Sequence, residues 1–147
     1  MMNHILNQVK SLFEERGIKY FCNVGDGVIG AAFEDTKILF EIDANLVEFC
    51  LIFDEEMRKD RKYEVQEYIN YVNRILKEGH FEMDDEGTVQ FRICTDISET
   101  QDISEKRLFV MMAKAAGAKE NFQKNMVRVS NGSMEAKEAF AEVLMAA

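Results

Sequence analysis

The stretch from Arg61 to Ile97 constrains the fold most, because it joins an amphipathic helix to a β-hairpin through one glycine. Apolar residues recur at helical spacing between Val65 and Leu76, with polar residues on the opposite side. Gly79 follows, and glycine is suited to the left-handed conformation that commonly ends a helix. The residues beyond it alternate apolar and polar side chains on both sides of an acidic turn, Asp84–Gly87. The stretch therefore predicts a helix that leads into an antiparallel hairpin.

Three strand-like runs precede this helix, at residues 28–33, 37–43 and 46–53. The polar connections between them are short, with the first turn expected at residues 34–36. Connections of this length join antiparallel neighbours, so the three runs predict a meander. The third run is apolar on both faces, which predicts a position in the middle of the sheet.

Helical patterns at both ends of the chain complete the predicted fold. Residues 2–16 form an amphipathic pattern that ends at Gly17. A long pattern after a cap at Asp102 contains Gly117, which indicates either a break or a close approach to a neighbouring backbone. We therefore expect one α+β domain, residues 1–147, in which meander and hairpin form a single twisted antiparallel sheet. N-terminal, central and C-terminal helices are expected to flank that sheet.

The net charge and the cysteine content limit the class of protein to which the chain can belong. Eighteen basic and twenty-seven acidic side chains give a net charge of −9, which disfavours nucleic acid, because its phosphates are bound by Lys and Arg. No apolar run approaches the length of about 20 residues that a membrane span needs, and no signal peptide is recognisable. The three well-separated cysteines, Cys22, Cys50 and Cys94, are typical of buried reduced thiols. We expect a cytoplasmic protein.

Two segments superficially match ligand-binding motifs. Residues 25–30 read GDGVIG and match the dinucleotide pattern GxGxxG, but too few residues follow for the helix that this pattern requires. The acidic turn Asp84–Gly87 runs directly into a strand, so it lacks the ligand spacing of a calcium loop. Hairpin turns are the better interpretation of both segments. No catalytic motif occurs, so we expect no enzyme activity, cofactor or metal.

The central helix is apolar over a wider arc than packing on a sheet requires. Tyr68, Tyr71 and Ile75 extend its apolar stripe on one flank, so that the arc spans about 160°. A tyrosine-rich apolar edge has the composition of a protein interface, which predicts a homodimer through these three residues. The alternative is that the terminal helices cover this flank.

Methionines on the long C-terminal helical pattern suggest a second candidate site. Met111, Met112 and Met126 lie on one stripe, and methionine is common at adaptable binding surfaces. They either line a ligand-binding groove or pack in the core. The composition of the stripe is compatible with both.

The order of predicted elements and several local motifs resemble the YbjN family, small bacterial proteins described as proposed regulators of sensory transduction. The resemblance covers nearly the whole chain, and its motifs are YINYVN at residues 68–73, GHFEM at 79–83, TVQFRI at 88–93, NFQKNMVRV at 121–129 and NG…EAKEA at 131–139. Relatives often have a proline near the start of the central helix, where this chain has Glu55-Glu56-Met57.

This resemblance implies a fold similar to that of type III secretion chaperones, which are commonly dimeric through the central helix and hold extended segments of client proteins. It implies no enzymatic activity. We therefore expect a non-catalytic protein-interaction module, chaperone-like or regulatory, that binds an extended segment of a partner protein. The alternative function is a small-ligand-binding sensor that uses a groove between the sheet and the C-terminal helix.

Overall fold

A computed structural model of the chain describes residues 2–33 and 35–146. Four helices and six strands are formed within these ranges. In chain order they are α1 (Met2–Glu15), β1 (Phe21–Asn23), β2 (Val28–Ala32), β3 (Thr36–Ile42), β4 (Leu46–Phe53), a 3₁₀ turn (Lys59–Arg61), α2 (Lys62–Ile75), β5 (His80–Met83), β6 (Val89–Asp96), α3 (Glu105–Ser130) and α4 (Ala136–Ala146).

All six strands belong to one antiparallel sheet with the order β1-β2-β3-β4-β6-β5. The predicted meander and hairpin are both present, and β4 joins them by pairing with β3 on one side and β6 on the other. The central position predicted for the third run is therefore confirmed. The sheet has one strand more than the meander and hairpin supply, because the short segment β1 pairs with β2.

The helices pack on one face of the sheet, which we call the inner face. Alternate residues of each strand point to this face, as the almost fully buried Ile38, Phe40 and Ile42 of β3 do. Aromatic rings join the layers: Phe40 lies 4.7 Å from Phe49 of β4 and 6.3 Å from Phe13 of α1 between ring centroids. Burial of this apolar surface is the main contribution to stability.

The C-terminal helices cover the central helix. α3 crosses α2 and the middle of the sheet, and α4 packs against both α2 and α3. Asn125 of α3 is buried and donates a hydrogen bond of 3.0 Å to the Ala139 carbonyl of α4. Because a buried polar group is costly unless it is paired, this bond favours one position of α4 on the bundle.

Three local predictions need correction or cannot be compared. α3 begins at Glu105 with Ser104 as its N-cap, whose hydroxyl accepts from the Arg107 N–H at 3.0 Å, so the cap is not Asp102. Gly117 does not break the helix. The turn predicted at residues 34–36 includes Glu34, which lies outside the described residues.

None of the helices within the described ranges combines the length and the apolar character that crossing a membrane requires.

Candidate functional site

The tyrosine flank of α2 is mostly covered by α4. Tyr68 is fully buried, and its hydroxyl donates to the Phe122 carbonyl of α3 at 3.0 Å. The ring of Tyr71 stacks on Phe140 of α4, with the ring centroids 5.4 Å apart. Of the three predicted interface residues, Ile75 alone is well exposed, at 44%. The structure thus shows the alternative that sequence analysis left open, a terminal helix lying on this flank.

The methionine stripe belongs to the core. Met111 and Met126 are fully buried, and Met112 is half-buried against the same core. The Met111 sulfur lies 3.4 Å from the Thr95 hydroxyl of β6, so this side chain fills space between α3 and the sheet. Core packing is the interpretation that this burial supports for Met111 and Met126.

The glycine-rich segment at residues 25–30 forms the β1–β2 turn and runs directly into β2 without a helix, as predicted. Its last glycine serves packing within the sheet. A Cβ at Gly30 would lie 2.7 Å from the ring of Phe21 and equally close to the Ile38 carbonyl oxygen. Only glycine leaves room for the Phe21 ring to lie across the strand at this point.

The carboxylates of the acidic hairpin turn are used in local contacts. The Asp84 carboxylate accepts from the N–H groups of Glu86 and Thr88, both at 2.9 Å. Asp85 and Glu86 pair with Lys62 and Lys59 at 2.9 Å. The turn is therefore a β5–β6 connection tied to the start of α2, and its oxygens do not converge on one point.

The cysteines differ in accessibility, which corrects the expectation that all three are buried. Cys50 is buried, Cys22 is half-buried and Cys94 is exposed, and all three are free thiols. Burial raises the pKa of the Cys50 thiol to about 12, so it is neutral at physiological pH and a poor nucleophile.

The outer face of the sheet, opposite the helices, is not covered by the core. One row of residues crosses all six strands on this face, in the order Phe21, Gly30, Leu39, Cys50, Arg92, His80. Phe21 is 56% exposed, and Leu39 and Ile52 are partly exposed. The face is therefore apolar towards β1 and charged towards β5.

Arg92 organises the charged part of the outer face. Its guanidinium lies 3.0 Å from Glu48, 3.7 Å from Glu41 and 3.8 Å from Glu82, so one positive charge faces three negative ones. Side-chain ligand atoms of Glu41, Glu48 and Cys50 lie within 4.8 Å of one another, a spacing compatible with a metal ion. The guanidinium already occupies this cluster and the Cys50 thiol resists ionisation, so the donor set suits a basic side chain better than a metal.

A side chain of α2 closes the β5 edge of the sheet at Phe81. The Asn73 amide accepts from the Phe81 N–H at 2.8 Å and donates to the Phe81 carbonyl at 3.0 Å. It thereby makes the two hydrogen bonds that a neighbouring strand would make at this residue.

Among the described residues, no side chain pairs in this way with the backbone of β1. Two backbone hydrogen bonds define the β2–β3 ladder: the Phe33 N–H donates to the Thr36 carbonyl, and the Ile42 N–H donates to the Gly27 carbonyl. Because alternate residues of β2 bond to opposite neighbours, Val28 and Gly30 bond to β1. The intervening residue of β1, Cys22, then directs its backbone N–H and carbonyl away from the sheet. Phe21, directly before Cys22, and Val24, two residues after it, are both exposed.

A groove of about 300 Å³ lies between the end of α2 and the middle of α3. Its floor is apolar and includes Leu76, Phe91 and Phe122. Lys77, Glu78 and Lys114 line it, as does the backbone at Gly117. We call this feature the α2–α3 groove.

Sequence analysis missed both the Arg92 cluster and the α2–α3 groove. The outward positions of the strands carried a signal for the cluster, because Glu41, Glu48, Glu82 and Arg92 alternate with core residues. The groove depends on how α2 and α3 cross, and only the unexplained Gly117 pointed to it.

Comparison with known proteins identifies the fold. No family model matches the chain, and no curated protein matches it at a significant level. The structure is similar to the crystal structure of YbjN from E. coli, described as a proposed transcription regulator, with a TM-score of 0.53 and 11% identity. The match covers 76% of this chain and 83% of that one. The chain therefore has a YbjN-like fold, as the sequence resemblance implied.

Proposed function

We propose that this protein is a non-catalytic interaction module of the regulatory or chaperone-like class that binds an extended segment of a partner protein. The observation that carries the proposal is the one-sided packing of the sheet: within residues 2–33 and 35–146 every helix lies on the inner side, and no element covers the outer face or the β1 edge. The fold of a neighbour described as a regulator agrees with this class.

The β1 edge supports strand addition. An extended segment placed beside β1 can bond to the outward backbone groups of Cys22, and its alternate side chains then lie next to Phe21 on the outer face. The β5 edge offers no such site at Phe81, because Asn73 already occupies it. We therefore place the partner segment at β1.

The charge of the outer face defines the partner further. Three glutamates surround a single arginine, within a chain of net charge −9. A partner segment with basic and apolar residues complements this face, and attraction between opposite charges makes association faster at low salt.

The experiment is a pull-down from a lysate of the native organism with three forms of the protein. Wild type and Tyr63→Glu should capture the same specific polypeptides, whereas Phe21→Glu should lose them. Tyr63 is the control because it is an aromatic residue, 87% exposed, on the opposite side of the sheet from the proposed surface.

A captured polypeptide then supplies a peptide for calorimetry. Its basic, unstructured region should bind wild type with a negative heat-capacity change, because apolar surface is buried. Capture that survives Phe21→Glu would place the contact elsewhere, and capture of nothing above background would remove the support for an interaction module.

A further inference from the structure

The α2–α3 groove arises from the way the central helix ends. α2 ends at Ile75, and Leu76 adopts an extended backbone. The segment that follows α2 therefore turns away from α3 before it enters β5. The gap that remains reaches down to Phe91 of β6 and to Phe122 of α3, two core side chains whose edges form its floor. A volume of about 300 Å³ is at the lower end of the range of small-molecule sites.

Gly117 leaves the α3 side of the groove bare. It lies inside a 26-residue helix, where glycine is less favourable than alanine. Beyond the adjacent residues and the backbone of its own helical turns, a Cβ at this position would meet no atom within 4 Å, so internal packing does not require a glycine. The absence of a side chain here gives a bound molecule access to the helix backbone.

Positive charge is concentrated at the groove, in contrast to the acidic chain as a whole. Lys77 and Lys114 line it together with one glutamate, Glu78. Glu78 is already paired, with Arg107 at 2.9 Å and Lys114 at 3.4 Å. Two lysines and one already paired carboxylate therefore line the groove, and the exposed Lys77 takes no part in these two ion pairs.

We propose that the α2–α3 groove binds a small molecule with an apolar chain and a carboxylate. The apolar chain lies on the floor formed by Leu76, Phe91 and Phe122, and the carboxylate pairs with Lys77 and Lys114. A single groove of this volume suits a small ligand rather than a folded partner. This site is on the opposite side of the sheet from the proposed protein-binding face, and it does not depend on that function.

The test uses sodium octanoate as the probe and backbone amide chemical shifts as the readout. Octanoate should cause saturable shifts at Gly117, Lys114 and Lys77 with a Kd of about 1 mM or tighter. Octan-1-ol, which lacks the charge, and acetate, which lacks the chain, should each bind at least about tenfold more weakly.

Three variants separate the contributions of the two lysines and of Gly117 to octanoate binding. Lys77→Gln and Lys114→Gln should each weaken octanoate binding about tenfold, because a charge-assisted hydrogen bond is lost. Gly117→Val should abolish the saturable shifts by filling the bare side of the groove. Lys124→Gln is the matched control, since Lys124 is an exposed lysine of the same helix outside the groove, and it should leave binding unchanged.

Octanoate that causes no saturable shifts, or that binds equally well to Lys77→Gln and Lys114→Gln, would overturn the proposal. Both lysines are partly or well exposed, so these variants are expected to fold, and circular dichroism verifies this. A second copy of the chain is the competing occupant. Light scattering that shows a dimer converted to a monomer by Gly117→Val would assign the groove to that copy and reject the small ligand.

Discussion

Single side chains decide which parts of this sheet remain accessible. Asn73 lies on α2, yet its amide bonds to both backbone groups of Phe81 and so closes the β5 edge at this residue. At the other edge, Phe21 lies across Gly30 and stays more than half exposed. These two residues leave the backbone of β1 at Cys22 more accessible to an added strand than the backbone of β5 at Phe81.

Replacing Asn73 by alanine should lower the free energy of unfolding by about 1–3 kcal/mol. The change leaves a half-buried N–H and carbonyl without partners, and unpaired backbone groups of this kind are costly. Urea denaturation measures the effect. Asn70→Ala is the control, because Asn70 is on the same helix and makes only an exposed hydrogen bond to Gln66. Equal losses for the two variants would contradict a role for Asn73 at the sheet edge.

The three thiols should react with iodoacetamide in the order of their exposure. In the folded protein we expect Cys94 to be modified first and Cys22 more slowly, while Cys50 is protected. Raising the pH from 7 to 9 should leave Cys50 protected, because the raised pKa keeps its thiol neutral. Intact mass over time measures this order. In denaturant all three should react, and a smaller number would mean that a thiol was already oxidised.

At the scale of elements, α4 covers most of the flank of α2 that the sequence predicts to be a dimer interface. Its Phe140 stacks on Tyr71, and its Glu142 lies 3.1 Å from Arg128 of α3. Together with the buried Asn125 bond to Ala139, these contacts hold α4 over the flank of α2. An apolar flank with the composition of an interface is thus mostly buried by a helix of the same chain.

Asn125→Ala should loosen α4 specifically. It removes a buried side chain and its hydrogen bond, which should cost about 1–3 kcal/mol of stability. Amide hydrogen exchange should become faster along residues 136–146 than in the sheet, because α4 is held partly by this bond. Lys124→Ala, at the preceding and exposed position of the same helix, is the control. Uniform acceleration in every element would show that Asn125 supports the whole fold rather than the position of α4.

Sequence periodicity predicted the elements of this fold well, because it records which side chains are buried. Ile38, Phe40 and Ile42 alternate as a half-buried strand must, and the Asp84–Gly87 turn joins β5 to β6 as expected. The candidate sites were less predictable, since they depend on which elements pack together. The spacing of Met111 is compatible with a groove residue and with a core residue, and only the position of α3 on the sheet decides between them.

At the scale of the whole molecule, the predicted homodimer needs a surface that is exposed in the folded chain. Tyr68 is in the core, and Tyr71→Glu would disturb the stacking on Phe140, so neither residue provides a clean test. Ile75 is the exposed member of the predicted set, at the end of α2. Dimerisation remains a prediction, and Ile75 is the residue at which it is best tested.

Light scattering at high concentration should give twice the chain mass of 17.0 kDa if two copies associate through this end of α2. Ile75→Glu should then give a folded monomer, because it places a charge in the interface without altering the core. Tyr63→Glu, at an exposed aromatic residue twelve positions earlier on α2, should remain dimeric. A wild-type monomer would reject the homodimer, and a dimer that survives Ile75→Glu would place its interface elsewhere. The uncovered outer face of the sheet is the surface to examine in that case, since Phe21 is the more exposed of these two apolar residues.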